Sequence, residues 1–463
     1  MPIQPLPYAQ RLRNRIIALG IFATLCFMIG SCIFGGGKKQ EVAQLPEAPE
    51  APVVSVDSAS NTASTPTNDS AATDSGALDL ETAMAEGTPL NTPEQKTEDL
   101  ANTQATVTAA ITPEAPPEIE VIDSTHIKAQ KNVFLAEKID NMLRRFKPMY
   151  GVILVVDVQT NEIIAWGERK DEKVQSTPDF FVKNTFPAAS LAKTITIAAA
   201  MESKRYSLNT AIPMIGSYHT LYKNQLRVKE NYTGPTIELQ DAYAMSANPP
   251  LALIGLNVGA GRLQEAAKKL GYNTNFPGGI PGRSSYTPPD SGYGLAEVSC
   301  GFTESTTLTP LLAAAQVRAI LAKKPLEIPW AENLAPYAPK NRIALDAGSF
   351  SENTYFGLRQ AMIRSITNGT ARKQISTRNM ARKNYNALDI GGKTGSLDGH
   401  DPYGRYEWFK GFAQSKEDPK KAIVVVILQI HDLQKVRSQP ATQVAAMIMN
   451  YWAHQNLNTK KGN

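Results

Sequence analysis

Phe186-Pro187-Ala188-Ala189-Ser190-Leu191-Ala192-Lys193 leads from an extended approach into an apolar, helix-forming run, Thr194 to Met201. A helix starts cleanly just after a proline such as Pro187. Residues three apart share a helix face, so the Ser190 hydroxyl and the Lys193 amine can meet. Serine is a poor nucleophile until a neighbour takes its proton, and a lysine can do so when burial or another cation lowers its pKa. Alone the pattern is weak, because a chain of this length carries about one or two Ser-x-x-Lys by composition. Its bland reading is a helix N-terminus with a solvated lysine. Here it occurs once.

Outward from this stretch, the chain reads as helices flanked by strands. Asn132 to Phe146 has apolar residues at helical spacing, and Tyr150 to Asp157 and Glu162 to Trp166 form a hairpin turning at Thr160-Asn161. Helical pieces follow Ser190 at Ile237 to Met245, Leu251 to Val258 and Gly259 to Leu270. Thr309-Pro310 opens an alanine-rich helix to about Lys323, and Ser351 to Ser365 is helical too. Ile390 to Ser396, Trp408 to Ala413 and Ala422 to Ile430 are strands, and Thr442 to His454 closes the chain as a helix. The expected fold is therefore α+β. One antiparallel sheet is built from both ends of the domain, covered by helices, with an inserted, mostly helical lobe.

Charge divides the 463 residues into unequal parts. Residues 1–39 hold five bases and no acids, 40–123 hold sixteen acids and one base, and 124–463 hold 42 bases and 27 acids. A basic domain suits anionic polymers or membrane surfaces. No basic stripe interleaved with aromatics points to nucleic acid, and diffuse solvated lysines account for the surplus. Arg11, Arg13 and Arg15 precede an uncharged apolar run, 16–37, long enough at about 1.5 Å per residue to cross a ~30 Å hydrocarbon core. The basic residues before it place the N-terminus in the cytoplasm. Ile29-Gly30-Ser31-Cys32 also resembles a lipoprotein cleavage site, with Cys32 the lipidated residue. Ile33 and Phe34 extend the apolar run past it and favour an uncleaved anchor. Residues 38–125 contain no Phe, Trp or Tyr and are rich in Ala, Pro, Thr and acids, the composition of a disordered spacer. The globular part, 126–463, has Cys300 alone and cannot form an internal disulfide, and no spacing of Cys or His fits a metal. The five histidines (126, 219, 400, 431 and 454) lie scattered, so no motif supports a Ser-His-Asp mechanism.

Two further motifs carry chemistry. In Lys393-Thr394-Gly395-Ser396 a strand points Lys393 and Gly395 one way and Thr394 and Ser396 the other. Gly395 leaves room for a ligand backbone at the strand edge, which can pair with an extended peptide. The bland alternative is a strand entering a turn with an exposed lysine. Ser246-Ala247-Asn248 lies between two helical pieces, where a helix cap is the ordinary explanation. Ser-x-Asn recurs at Ser207 and Ser351. Ser207 follows the Ser190 helix too closely to form an opposite wall, and Ser351 falls in a surface segment, so spacing selects Ser246.

The ordered trio of Ser190-x-x-Lys193, Ser246-x-Asn248 and Lys393-Thr-Gly-Ser396 resembles the transpeptidase domain of penicillin-binding proteins. VILVVDVQTNEIIAW, FPAASLAKT, LTPLLAAA, the NGTA of Asn368 to Ala371 and WFKGFA resemble its flanks, and the likeness covers about residues 132 to 455. The resemblance implies a fold like that of β-lactamases and these transpeptidases. It implies that Ser190 attacks a terminal D-Ala-D-Ala bond, that Lys193 is the general base, kept neutral by burial and by Lys393, and that Ser246 relays a proton to the departing D-alanine. Asn248 would hold the donor amide. Thr394 and Ser396 would bind the terminal carboxylate with support from the Lys393 charge, and the N–H groups of Ser190 and Ser396 would form the oxyanion hole. No metal or organic cofactor is implied. The implied partners are peptidoglycan stem peptides, β-lactams as covalent inhibitors and the cytoplasmic membrane, with room for a glycosyltransferase partner. The domain would face the periplasm or cell exterior of a bacterium.

Too little ordered chain precedes residue 132 for the glycosyltransferase or pedestal domains of larger family members. A D,D-carboxypeptidase shares the trio but passes the acyl group to water. A β-lactamase needs a deacylating base, and no Glu-x-x-Leu-Asn lies between Ser246 and Lys393. A non-catalytic module binding wall peptide or penicillin would have no use for the Ser190–Lys193 pair.

Overall fold

The computed structural model describes residues 128, 130–171, 186–276, 283–331, 344–434 and 439–457. The chain divides into two units, Met1–Ala109 and Ala110–Asn463, and every described residue belongs to the second. The expected anchor or signal at 16–37 and the acidic spacer at 38–125 lie outside the described residues.

In chain order the strands are β1 (Tyr150–Asp157), β2 (Ile163–Lys170), β3 (Ala211–Pro213), β4 (Thr236–Glu238), β5 (Leu388–His400), β6 (Tyr403–Ser415) and β7 (Ala422–His431). The helices are α1 (Val133–Phe146), α2 (Lys193–Glu202), α3 (Leu239–Ala244), α4 (Asn248–Val258), α5 (Ala260–Lys269), α6 (Gly292–Cys300), α7 (Pro310–Ala322), α8 (Glu352–Thr367), α9 (Arg382–Asn386) and α10 (Ala441–Leu457). One sheet has the order β2-β1-β7-β6-β5, antiparallel at each pairing, so the two ends of the domain meet where β1 joins β7. This is the expected α+β architecture.

β7 explains why its sequence is a continuous β-branched run. Val424, Val426, Leu428 and Ile430 enter one core, shared with α2 and α7, while Ile423, Val425 and Ile427 enter a second, shared with α1 and α10. A strand buried on both faces has no polar alternation to show. Between β2 and β5 lies the helical lobe, with α2 at its centre. Lys193 to Met201 are all buried, and a helix apolar on every side belongs inside.

Several boundaries differ from the sequence reading. Thr236–Glu238 pairs with Ala211–Pro213 instead of starting a helix, because β-branched Thr236 and Ile237 fit a pleated edge, with Ile237 opposite Ile212. Ser190 does not lie on an α-helix. Ala189–Ala192 is a 3₁₀ turn, and α2 starts at Lys193. Residues three apart eclipse in a 3₁₀ turn, so Ser190 and Lys193 still share a face. α6, bounded by Gly292 and Gly301, carries no helical signal that the sequence reading used.

Candidate active site

The approach to Ser190 is held as an extended segment. Ala188 N donates to Thr306 O (2.8 Å), Leu308 N to Phe186 O (3.0 Å), and Trp408 Nε1 to Pro187 O (2.9 Å). Ala189 then adopts φ 49°, an uncommon conformation for a residue with a Cβ, and turns the chain so that Ser190 faces a cleft. Gly301 makes this turn possible. A Cβ there would lie 2.0 Å from Ala189 O, and its φ of 67° is itself left-handed.

Lys193 is wholly buried. Its Nζ donates to Ser190 Oγ (2.9 Å), to Asn248 Oδ1 (2.7 Å) and to the Cys300 carbonyl. Three neutral oxygens match three amine hydrogens, yet none is a carboxylate, and burial lowers the amine to about 8. The second motif closes the opposite wall. Ser246, at φ 57°, ends the turn after α3, and Asn248 N donates to Tyr218 O (2.6 Å). Ser246 is not a helix cap, since Ala247 occupies that position in front of α4; its Oγ instead accepts from Lys393 Nζ (2.9 Å). The capping role falls to Ser351, whose Oγ accepts from Thr354 N at the start of α8.

Lys393, on β5, is also wholly buried, which rules out the exposed lysine of the bland reading. It donates to Ser246 Oγ and Thr394 O and sits 5.5 Å from the Tyr243 ring centre. Burial, and after it the like charges of Lys193 and Lys410, hold its amine well below the ordinary lysine value. Thr394, half-buried, and Ser396, exposed, project from the other side of β5 into the same cleft, as the alternation requires. The room left by Gly395 has a different use from the one expected. A Cβ there would meet Ala188 O and Leu191 Cγ at 3.2 Å, so the glycine lets β5 pack against the Ser190 turn.

The cleft has a volume of about 610 Å³ and brings together Ser190, Ser246, Asn248, Thr394, Gly395 and Ser396, with both lysines beneath it. All eight residues singled out from the sequence therefore meet at one place. Others were not singled out. Thr370, within the NGTA flank, shares a 2.6 Å hydrogen bond with Thr394 Oγ1. Below it Arg364 binds Asp241 through two bonds (2.7 and 3.0 Å), clamping α8 to the helix that precedes Ser246. His219 lines the cleft, with its imidazole held below its ordinary value by burial and by the nearby lysines. The Cys300 carbonyl and Gly301 act through backbone alone and leave no side-chain signal. NGTA and the lysine within WFKGFA were the available clues. Among the described residues no cluster of His, Cys, Asp and Glu could hold a metal.

Residues 151–450 match the family described as the penicillin-binding protein transpeptidase domain. The chain belongs to that family. It is 25% identical over 277 residues to the peptidoglycan D,D-transpeptidase PbpA of Mycolicibacterium smegmatis, covering 57% of this chain and 54% of that protein. The PbpA of Mycobacterium tuberculosis is likewise 25% identical, over 282 residues, with the same coverage. The chain thus spans about half the length of these curated relatives. Among solved structures, the transpeptidase domain of Burkholderia pseudomallei penicillin-binding protein 3 superposes with a TM-score of 0.53 at 15% identity, covering 72% of this chain and 95% of that one. Penicillin-binding protein A of M. tuberculosis, solved as an imipenem acyl-enzyme, gives a TM-score of 0.51 at 19% identity, with 70% and 78% coverage. These likenesses establish the shared fold of this transpeptidase-family domain.

Proposed function

We propose that this protein is a peptidoglycan D,D-transpeptidase that works through an acyl-enzyme on Ser190. The observation that carries the reading is the Lys193 amine, wholly buried and 2.9 Å from Ser190 Oγ. Burial lowers this amine to about 8, so its neutral form is available near neutral pH. The neutral amine takes the Ser190 proton as the hydroxyl attacks the carbonyl of a terminal D-Ala-D-Ala bond. The C–Oγ bond forms and the C–N bond breaks. The departing amine takes a proton from Ser246, which recovers one from the Lys193 ammonium. Lys393, hydrogen-bonded to Ser246, fixes the serine for this exchange, and Asn248 orients the donor amide.

The terminal carboxylate is received by the Thr394 and Ser396 hydroxyls, and the N–H groups of Ser190 and Ser396 stabilise the oxyanion. β5 is the last strand in the sheet, so its outer edge suits an extended peptide. An amine of a neighbouring stem peptide then attacks the ester, releasing Ser190 and forming the cross-link. The same chemistry makes β-lactams covalent inhibitors. Residues 16–37 would tether the domain outside the cytoplasmic membrane.

The test is acylation by fluorescent penicillin, wild type beside Ser190→Ala, followed as the label is released. A lasting adduct on wild type alone is expected. Labelling of Ser190→Ala would overturn the nucleophile. A product assay with donor and acceptor peptides should yield the cross-link, and free D-alanine without it would mark a carboxypeptidase.

A further inference from the structure

Lys410 occupies the middle of β6 and is wholly buried, although its same-face neighbours Trp408 and Phe412 belong to the apolar core. In the β5–β6 register it stands directly opposite Lys393. Directly opposed residues project to one face with Cβ atoms about 4.5–5.5 Å apart. From there the amines diverge. Lys393 reaches Ser246, while Lys410 Nζ donates to Gln316 Oε1 (2.6 Å) on α7. Gln316 Nε2 donates to Leu270 O (2.8 Å), so the carboxamide is fixed with its oxygen toward the lysine.

The charged and titratable groups around this space are few. Lys393 faces Lys410 from β5, with Lys193 beyond it on α2 and Tyr243 under Lys393, while His219 acts on both of these lysines from the cleft and the Cys300 thiol on Lys193. Tyr272 is hydrogen-bonded to Gln316, and Tyr286 lies against Tyr272. Arg359, over the Phe412 ring, carries its own carboxylate, Asp389. Val426 opposes Lys410 from β7. None of the three buried lysines forms an ion pair with a carboxylate among the described residues.

A buried ammonium without a counter-charge is costly, and a like charge directly across the strands adds to the cost. An apolar side chain would fill the position without either penalty. We propose that Lys410 is a positioning residue whose place opposite Lys393 makes the buried amines around Ser246 give up a proton more readily, extending acylation of Ser190 to lower pH. Burial holds Lys410 itself near 7, so its influence is strongest on the acid side of neutrality, where it too carries charge. The inference rests on the reading of Ser190 as nucleophile with Lys193 and Lys393 serving it.

The experiment is the pH profile of fluorescent-penicillin acylation in the full chain, wild type beside Lys410→Met and Gln316→Glu. Lys410→Met removes the charge at similar length, and Gln316→Glu keeps the lysine but gives it a counter-ion. Both are expected to slow acylation below pH 7, where Lys410 is charged, by at least about threefold, with a plateau rate above pH 8 within a few-fold of wild type. An acid-side rate unchanged in every variant that folds would make Lys410 a packing residue only. A titration of the lysine amines by NMR, with Ser190→Ala as background, needs no turnover. A Lys393 midpoint unchanged by Lys410→Met or Gln316→Glu would overturn the proposal. Wild type that never forms a Ser190-dependent adduct would instead overturn the transpeptidase reading, leaving the titration to decide for Lys410.

Discussion

The two ends of α2 treat charge in opposite ways. At its first residue, Lys193 is buried among neutral oxygens, and its amine falls to about 8. At its last, burial alone would raise the Glu202 carboxyl, but hydrogen bonds from Thr354, Lys269 and Ser351 overcome it and bring the group to about 2. Both charges sit at the helix end that the macrodipole disfavours. Glu202 is compensated because it lies at the N-terminus of α8, where Ser351 N (3.0 Å), Ser351 Oγ (2.7 Å) and Thr354 Oγ1 (2.7 Å) donate to it beside the Lys269 ammonium (2.9 Å). Lys193 receives no such partner. One end is a satisfied clamp, and the other keeps an amine that can take a proton. Burial turns a charge toward chemistry only where compensation is withheld.

The largest effect should come from removing the uncompensated amine. Lys193→Met is expected to slow acylation of Ser190 by about 10²–10⁴, the usual contribution of a general base, while a thermal melt shows the fold retained. Near wild-type labelling would mean that the reactive end of α2 is not reactive through its lysine. Gly301→Ala comes next. Its new Cβ must displace Ala189 O, 2.0 Å away, and so shift Ser190 relative to Lys193. A misplacement of about 1 Å costs on the order of 10² in rate. Stopped-flow acylation reads it, and an unchanged rate would show that the turn tolerates movement.

A smaller change is expected from pH alone. Because the folded Lys193 amine lies near 8, below its ordinary 10.5, the base becomes available as pH rises. Acylation should climb roughly tenfold per unit below about 8 and level above it. A limb near 10 instead would place Lys193 among ordinary solvated lysines and erase the contrast with Lys269, whose carboxylate partners raise it.

The site was legible in sequence wherever it consists of side chains at fixed spacing. Ser190, Lys193, Ser246, Asn248 and Lys393 were found because each type has few chemical uses in that order. The sheet was legible because β1 and β7 carry apolar residues on both faces over most of their length, a run that a doubly covered strand explains. What stayed hidden works through backbone or through distant partners. The Cys300 carbonyl could belong to any residue, and the need for glycine at 301 depends on Ala189, more than a hundred positions away. Lys410 was visible as a cation inside WFKGFA, but its meaning depends on register. One residue of slip would put it on the other face of the sheet.

The smallest effect tests the compensated end. Glu202→Gln should leave acylation and its pH limb untouched while destabilising the domain by about 1.5–3 kcal/mol at pH 6, the range for hydrogen bonds to a charged group. The sign follows from the depressed carboxyl. Its folded value, about 2, lies below the ordinary 4.5, so the stabilisation is fully present above about 4.5 and is lost as pH falls toward 2. Urea unfolding of wild type and variant at pH 6 and pH 3 should therefore show a gap that narrows with acid. A gap that is the same at both pH values would mean that the carboxylate charge contributes nothing and that packing alone joins α2 to α8. A shifted acylation limb in Glu202→Gln would mean that the two ends share one electrostatic field across ten residues, and that the clamp helps to set the reactivity of Lys193.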